Sequence, residues 1–314
     1  MEKWPKPVVI FTHESDLDGF LSSLLLQKLA ESWFEETIPI EAYQNDAWQK
    51  RTLTEKAAWV SDFAFDSRMD RPNWVVIDHH PTGTTPRNAR LIHHTRECSC
   101  SLVYQVCQQA GLANPVLDRL VALCRLADLF EQDHADFTVA NDYANLVKTY
   151  QFWNLCTLIE GNPERLLNHP LLEVMAVKRR VEDPLGLEWS RKNIVQLSPA
   201  VGFVEVLLGS ANLIVNQLLK ERACPHTVLL SMFRRGNGTI VVSLRSLNGE
   251  ALKIAELLHG GGHPNACGAV LPRSVQSIPD AIAYLRKILN PTSVLASSAP
   301  DLDDILDELK PGSS

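Results

Sequence analysis

The sequence predicts an α/β protein whose N-terminal domain is a doubly wound, mainly parallel sheet, with a second, smaller α/β domain across a cleft. Strand-like and helix-like segments alternate through the first half of the chain, which is typical of parallel sheets. The second half contains a clear hairpin signal, Gly236-Asn237-Gly238, between two apolar runs. A length of 314 residues also favours two domains over one.

The first domain contains short apolar runs that are bounded by polar residues, as buried strands are. These strand candidates are 7–11, 37–43, 57–63 and 73–78. Apolar residues at helical spacing predict helices between and after them, at 19–33, 98–111 and 115–130. Gly111 closes the second of these helices.

The second half begins with residues 134–197, which have helical character and no recognisable chemistry. Strands are predicted on both sides of the hairpin turn, at 225–235 and 239–246, and helices follow at 249–263 and 281–289. The chain then divides into a first domain, a linker helix, a second domain and an acidic tail, over residues 1–185, 186–198, 199–290 and 291–314.

The formal net charge is −7, and the basic residues form only local groups such as "VKRR" and "FRRG". Proteins that coat long nucleic acids usually have a broad basic face, because phosphate neutralisation dominates that binding. The composition therefore argues against a long duplex partner. Small anionic substrates or short nucleic-acid ends fit it better.

The sequence also predicts where the protein resides. No apolar run reaches the roughly 20 residues that a membrane span requires, and the first residues lack the basic and apolar regions of a signal peptide. The seven cysteines include no CxxC pair, which indicates reduced thiols. We expect a cytoplasmic protein with no membrane partner.

Acidic and histidine side chains follow three of the strand candidates. They are His13, Asp16 and Asp18 after the first, Asp62 after the third, and Asp78, His79 and His80 after the fourth. The carboxyl ends of parallel strands meet at one edge of a sheet, where ligands bind. Crowded carboxylates are costly unless a cation neutralises them. The pattern predicts one or two divalent ions, with donors that suit Mn²⁺, Mg²⁺ or Zn²⁺.

Each of these signals has an ordinary structural explanation when it is taken alone. The "DLDG" segment occurs in calcium loops and in plain turns, and an acid after a strand is often a helix cap. The pair His93 and His94 lacks the strand-end setting, so we assign it no role in the site. Cys98 and Cys100 are interpreted as packing residues rather than redox groups.

The motifs "HESDLDG" (13–19), Asp62, "IDHH" (77–80) and "GGGHPNACGA" (260–269) resemble the DHH phosphoesterase superfamily. The branch that they resemble has a glycine-rich, DHH-associated second domain, and the resemblance extends from about residue 8 to residue 272. It implies two domains that face a cleft, with a two-metal site, usually for Mn²⁺, in the larger one.

The resemblance also implies roles for individual residues. One metal ion would be held by Asp18, Asp62, His79 and Asp128, and the other by His13, Asp16 and Asp62. His80 would contact the scissile phosphate, and Asp78 would orient its neighbours. Asp128 belongs to "RLADLF", and Asp133 is the competing choice. One departure concerns His13, because many members place three residues between the first His and the first Asp, and here only Glu14 and Ser15 separate His13 from Asp16.

The second domain would hold the rest of the substrate. Gly260, Gly261 and Gly262 would let backbone N–H groups approach a phosphate, and His263 would add a hydrogen bond or a charge. Arg245, with Ser246 beside it in "VVSLRS", suits a bidentate phosphate contact.

Our first hypothesis is a metal-dependent phosphoesterase in which a water activated by two metals hydrolyses short oligonucleotides or dinucleotides, such as pApA, to mononucleotides. A single-strand 5′ exonuclease and a phosphatase for phosphoadenosine phosphate are alternatives of the same class. A non-catalytic nucleotide-binding module is the alternative from another class. The sequence does not separate RNA from DNA, or linear from cyclic substrates.

The tail contains "DLDDILDELK" (301–310), in which Leu302, Ile305, Leu306 and Leu309 share one helical face with acids opposite. A partner could bind through this face, as short amphipathic helices do. The alternatives are an acidic tail without partners and a terminal helix packed on its own domain. Homodimer formation also stays open.

Overall fold

A computed structural model describes residues 3–291 of the chain. Within these residues it confirms an α/β fold, with a five-stranded parallel sheet followed by a six-stranded mixed sheet. The chain forms two compact units, one up to Arg179 and one from Arg180 onward. The segment 301–310, for which partner docking is one of the alternatives, lies outside the described residues. In the described part of the chain, no helix combines the length and apolar character needed to cross a membrane.

The first sheet has the strand order β2-β1-β3-β4-β5, and all its strands run parallel. In such a sheet the order reverses between β1 and β3, and ligands bind outside the carboxyl ends of the strands at this switch point. The strands are β1 (Val9–His13), β2 (Ile40–Tyr43), β3 (Ala58–Ser61), β4 (Trp74–Asp78) and β5 (Arg90–His93).

Capping residues fix where the helices of this unit begin. The Asp16 side chain accepts the Gly19 N–H at the start of α1, and Asn114 caps α4 ahead of Pro115. The helices are α1 (Leu17–Phe34), α2 (Asn45–Lys50), α3 (Ser99–Gln109), α4 (Pro115–Asp128), α5 (Phe137–Tyr150) and α6 (Phe152–Leu158).

Apolar side chains cover both faces of the first sheet, because successive residues of each strand point to opposite faces. Ile10, Trp59 and Ile77 belong to the core that includes α1, α3 and α4. Phe11 and Val60 belong to the core on the other face. Burial on both faces explains why these strands are continuous apolar runs in the sequence.

The strand β5 is absent from the sequence prediction. Its residues, Arg90 to His93, are exposed or half-buried at the edge of the sheet, so they do not form a continuous apolar run. In the register of the sheet, Asp78 of β4 lies opposite His93 of β5. The interpretation that His93 lacks a strand-end setting is therefore wrong.

Helix α7 (Leu171–Lys192) extends from the first unit into the second, whose sheet has the order β10-β11-β9-β8-β7-β6. Within that sheet β7 and β8 pair in parallel, and the other neighbouring strands pair antiparallel. The strands are β6 (Ile194–Gln196), β7 (Val201–Val204), β8 (Val228–Arg234), β9 (Ile240–Ser246), β10 (Gly261–His263) and β11 (Ala266–Val270). Residues 194–196 were expected to be helical, but the β-branched Ile194 and Val195 pair with β7.

Three helices complete the described part of the second unit: α8 (Ala211–Lys220), α9 (Glu250–Leu257) and α10 (Ile278–Leu289). One face of the sheet packs with α9 and α10, and the other face packs with α8. The predicted hairpin is confirmed, since the Arg235 N–H donates to the Thr239 carbonyl at 2.8 Å and Gly238 has a φ of +84°.

Candidate metal centre

Side chains from three neighbouring strands meet at the carboxyl edge of the first sheet. His13 ends β1, Asp62 follows β3 and Asp78 ends β4, with His79 and His80 directly behind. This edge includes the β1–β3 switch point, where sheets of this kind bind ligands. The structure therefore brings together groups that lie up to 67 positions apart along the chain.

Gly19 brings the start of α1 against the end of β1. A Cβ atom at this position would lie 2.1 Å from the His13 carbonyl oxygen, so no larger residue fits without a backbone shift. The Thr12 hydroxyl donates to the Gly19 carbonyl at 2.7 Å, which adds a second link between the end of β1 and the start of α1. This close approach places Asp16 beside His13, with 2.7 Å between Asp16 Oδ2 and His13 Nδ1, and explains the glycine of "DLDG".

Asp62 lies between two groups of ligand-type side chains. Its Oδ2 is 3.5 Å from His13 Nδ1, and its Oδ1 is 3.7 Å from His79 Nε2. The residue is buried and has a φ of +60°, a left-handed conformation that is uncommon outside glycine. This backbone geometry lets the carboxylate use a different oxygen for each group.

Two of these groups have the composition of metal sites. Within each group, one ligand atom per residue lies within 4.8 Å of the others. The groups are His13, Asp16 and Asp62, and Asp18, His79 and Asp128. Asp128 comes from the last turn of α4, and no group found among residues 3–291 includes Asp133, the competing choice.

Burial and crowding raise the pKa of two of the carboxyl groups. Burial raises the pKa of Asp18 to about 7, and the neighbouring Asp62 carboxylate adds to the rise. Burial also raises the pKa of Asp128 well above its ordinary value, with Asp18 contributing. Burial acts on Asp62 in the same direction, but hydrogen bonds with His13 and His79 outweigh it and lower the pKa of Asp62.

The histidines of the cluster favour their charged forms. Burial lowers the pKa of His79, but the Asp62 hydrogen bond and the Asp128 carboxylate outweigh it and raise the value to about 10. Burial also lowers the pKa of His13, but the neighbouring Asp16 carboxylate outweighs it, and the pKa of His13 lies well above its usual value. Without a metal, protons therefore balance the negative charge of this site.

The donor set fits divalent metal ions. Carboxylate oxygens with imidazole nitrogens are ligands that Mn²⁺ and Mg²⁺ accept. The buried Oδ2 of Asp128 accepts no hydrogen bond. It lies 3.5 Å from His79 Nε2, within ion-pair distance. A buried acceptor without a donor is costly, and a cation would satisfy it.

Asp78 and His93 hold His80 beside the cluster. Asp78 Oδ1 lies 2.8 Å from the Nδ1 of His80, and its Oδ2 accepts the His80 backbone N–H at 3.2 Å. His93 Nε2 lies 2.8 Å from the His80 carbonyl oxygen, which can only accept, so His93 donates. Burial lowers the pKa of His80, but the bond to Asp78 outweighs it and the pKa is raised.

The start of α3 holds Asp18. The N–H groups of Ser99 and Cys100 donate to its two carboxylate oxygens at 2.8 Å and 2.7 Å. The buried Cys124 thiol lies 3.6 Å from Asp18 Oδ1. Burial raises the pKa of the Cys98 thiol to about 12, so this thiol is protonated at neutral pH and matches a packing role.

The three glycines of "GGGH" have different surroundings in the second unit. A Cβ atom on Gly260 would lie 2.1 Å from the Gly268 carbonyl oxygen. Gly262 has a φ of +138°, and a Cβ there would lie 2.7 Å from the Ala266 carbonyl oxygen. A Cβ on Gly261 would meet nothing within 4 Å, so only this glycine borders open space.

Arg245 and Ser246 point to opposite faces of the second sheet. The Arg245 guanidinium donates to the Leu244 carbonyl and to Asn212 Oδ1, both at 2.9 Å, and its buried Nε has no hydrogen-bond partner. Burial lowers the pKa of Arg245. The Ser246 hydroxyl is buried, accepts the Ala251 N–H at 3.0 Å and bonds Asn265 Oδ1 at 3.1 Å.

Residues 205–290 match the family model of the DHHA1 domain. The second unit carries a DHHA1 domain. No curated protein matches the chain in sequence. The DHHA1 match agrees with the resemblance that "GGGHPNACGA" indicates, because this segment lies inside the matched residues.

Solved structures share the fold of the whole chain. A pGpG-specific phosphodiesterase, PggH, from Vibrio cholerae has 13% identity and a TM-score of 0.54, over 91% of this chain and 99% of that one. An exopolyphosphatase-related protein from Bacteroides fragilis has 17% identity and a TM-score of 0.50, over 91% and 92%. RecJ from Thermus thermophilus, solved with Mn²⁺, has 16% identity and a TM-score of 0.50, over 89% of this chain and 52% of RecJ. The family-model match confirms the resemblance for the DHHA1 domain, and the solved structures show that these proteins share the fold of the chain.

Sequence reasoning missed several residues that support the site. His93 was assigned no role and Ser99 was not considered, because their contacts depend on β5 and on the approach of α3 to Asp18. In the DHHA1 domain, Asn212 holds Arg245, and Asn265 accepts from the Gly249 N–H at 2.6 Å. Asn265 lies within the recognised glycine-rich motif, which was the available signal for that residue.

Proposed function

We propose that this chain is a metal-dependent phosphoesterase that hydrolyses short oligonucleotides or dinucleotides to mononucleotides. The observation that carries the proposal is the position of Asp62, which presents one carboxylate oxygen to each of two ligand groups. A carboxylate shared in this way is what a pair of closely spaced metal ions requires. Paired metal sites of this kind serve phosphate ester hydrolysis.

The proposal assigns a ligand set to each ion. His13, Asp16 and Asp62 would hold one ion, and Asp18, Asp62, His79 and Asp128 would hold the other. The mixed carboxylate and imidazole donors suit Mn²⁺ best, with Mg²⁺ as the second choice. When bound, such a pair supplies hydroxide near neutral pH by lowering the pKa of a shared water.

His80 would bind the phosphoryl group. Its Nδ1 is engaged by Asp78, which leaves Nε2 as the ring nitrogen available for a substrate. The raised pKa of His80 favours a ring with both nitrogens protonated, so Nε2–H can donate to a phosphoryl oxygen. A positioned, charged donor of this kind stabilises the negative charge that develops when the phosphorus is attacked.

The DHHA1 domain supports a nucleotide substrate rather than inorganic phosphate alone. Arg245 and the open position at Gly261 provide a charged side chain and an approachable backbone. Among proteins with the same fold, PggH is described as specific for pGpG, a linear dinucleotide. These two observations favour a substrate in which a nucleotide extends beyond the phosphate that is hydrolysed.

The test is hydrolysis by the full-length, metal-free protein after addition of Mn²⁺ or Mg²⁺. The panel contains pApA, pGpG, cyclic di-AMP, phosphoadenosine phosphate, and RNA and DNA of two to about 24 nucleotides. We expect mononucleotide release that is fastest on the shortest substrates and is lost in His80→Ala. His94→Ala is the matched control, because His94 is exposed and its ring accepts only the N–H of nearby Arg96 among the hydrogen bonds described.

Metal content provides a second, independent measurement. We expect about two Mn²⁺ per chain after dialysis, measured by elemental analysis, as a two-metal site requires. A protein that retains no Mn²⁺ and releases no mononucleotide from any substrate would show that the proposal is wrong. Nucleotide binding without turnover would then favour the non-catalytic alternative.

A further inference from the structure

One face of the second sheet, opposite α9 and α10, has its side chains arranged in three rows across the strands. Alternate residues of β8, β9, β10 and β11 point to this face, because side chains alternate along a strand. The register aligns a basic row, a small row and an apolar row: Leu229, Arg245, Ala266 and His263; Ser231, Ser243, Gly268 and Gly261; and Phe233, Val241 and Val270.

Helix α8 covers only one end of this face. Leu229 of the basic row is fully buried in the α8 core, and Arg245 bonds Asn212 of the same helix. At the other end, Phe233 is 51% exposed and Val270 is 50% exposed, although Val241 between them is nearly buried. Residues opposite each other on paired strands are in contact distance, so these three side chains form one apolar patch.

The small row lies between the basic row and the apolar row, and its side chains take up little space. Its members are serines and glycines, and Gly261 borders open space. The four residue steps of strand between Arg245 and Val241 span about 13 Å at roughly 3.3 Å per residue. A ligand that uses both ends must therefore carry an anionic group and a flat apolar group about that far apart.

We infer that the apolar row is a nucleobase platform, on which Phe233 stacks against a base of an oligonucleotide whose phosphate is held at the basic row. This inference rests on the proposed function and specifies how the substrate is bound. A dinucleotide or a longer strand carries a phosphate and a base at the required separation. Phe233 is a determinant of substrate length in this arrangement, because a substrate without the distal base cannot reach it.

The chemistry of the face favours a nucleic-acid strand over a protein partner. Arg245 and His263 lie on the same face as Phe233, and no acid occupies any of the three rows. An aromatic ring and positive charge on one surface is the usual way in which single strands are bound without base specificity. Stacking tolerates every base, so the platform would select for length rather than for sequence.

The test uses a dinucleotide whose distal base is 2-aminopurine, a base whose fluorescence is quenched when it stacks. Binding is measured with full-length His80→Ala protein and Mn²⁺, so that turnover does not interfere. We expect quenching on binding, its loss in Phe233→Ala, and its recovery in Phe233→Tyr. We expect the Kd to rise roughly 5- to 150-fold in Phe233→Ala, which corresponds to a stacking contribution of about 1–3 kcal/mol.

Leu257→Ala is the matched control, because Leu257 is similarly exposed at 58% but lies on α9, across the sheet from the rows. An unchanged Kd and unchanged quenching in Phe233→Ala would overturn the inference. An equal loss in Leu257→Ala would overturn it as well. Light scattering adds one more outcome. If Phe233→Ala changes the mass of the particle in solution but leaves the quenching unchanged, the apolar row is a contact between copies of the chain instead.

A second substrate separates this inference from the proposed function. Bis(4-nitrophenyl) phosphate is a phosphodiester without a nucleobase, and its hydrolysis by the wild-type protein with Mn²⁺ tests the phosphoesterase alone. Hydrolysis with no effect of Phe233 on dinucleotide binding would overturn only the platform. Phe233-dependent quenching without hydrolysis of any phosphodiester would support the platform and overturn the proposed function.

Discussion

The metal centre and the open face of the DHHA1 domain are built in opposite ways. Asp18 and Asp62 are at most 3% exposed, and hydrogen bonds from the surrounding chain hold both carboxylates. On the DHHA1 face, Gly261 and His263 are exposed, and Gly261 contributes by having no side chain at all. The first region holds its own buried carboxylates in fixed positions. The DHHA1 face leaves open space in which a negatively charged ligand can bind.

This difference decides which substitutions matter in each region. Buried charges depend on specific partners, so removal of one group leaves the others uncompensated. A surface that binds through backbone N–H groups depends on access, so added bulk does the damage. The strongest effects should come from lost charge in the metal centre, and milder effects from added atoms in the DHHA1 domain.

The largest effect is expected for Asp62→Asn. This change keeps the shape and the left-handed backbone, which asparagine tolerates well, but removes the charge shared by the two ligand groups. We expect activity to fall by about 1000-fold or more, because bound metals contribute several kcal/mol to catalysis. Bound Mn²⁺ should fall in parallel. Asp136 is a partly exposed acid that pairs with Arg119, away from the ligand groups, and Asp136→Asn is the control that should retain both properties.

The next effect concerns the ion that Asp18 and His79 would hold, because the affinity of the protein for this ion should depend on pH. The pKa of Asp18 is about 7, that of His79 is about 10, and that of Asp128 is raised as well, so below pH 7 a metal must displace protons from these ligands. Affinity should then rise with pH, and the rise should be steepest below pH 7, where Asp18 still carries its proton. Calorimetry in buffers of different ionisation enthalpy should detect more protons released per ion at pH 6 than at pH 8. Equal release at both values would contradict the charge balance described for the metal-free site.

The clustering of these acids and histidines could be predicted from the sequence because parallel strands bring their carboxyl ends to one edge. Asp62 and Asp78 could be assigned to one crevice from strand ends alone. His93 could not, since β5 is an edge strand whose mixed polarity hides it from apolar periodicity. Arg245 and Ser246 were assigned to the substrate together, yet neighbouring strand residues point to opposite faces, and the structure places the Ser246 hydroxyl in the interior.

A smaller effect is expected for His93→Leu, which removes the hydrogen bond to the His80 carbonyl while keeping apolar bulk. His93 is a positioning residue, because it acts through the backbone of His80 and not on the substrate. Loss of such supporting contacts typically costs about 10- to 100-fold. We expect the loss in kcat, with KM, Tm and bound Mn²⁺ little changed, and partial recovery in His93→Gln, whose amide can donate. An equal loss in His94→Leu would point to general damage at the strand end instead.

The smallest effect separates two adjacent glycines of the DHHA1 domain. Gly261→Ala adds a methyl group into open space, so Tm should stay unchanged while KM for a dinucleotide rises by about tenfold, since about one phosphate contact is blocked. Gly260→Ala places its Cβ 2.1 Å from the Gly268 carbonyl oxygen, so Tm should fall and the loss of binding should follow the loss of folded protein. Differential scanning calorimetry and steady-state kinetics on both variants measure this contrast. If Gly261→Ala leaves KM unchanged, the glycine run serves only the close packing of β10 on β11, and the phosphate must be held by Arg245 and His263 side chains alone.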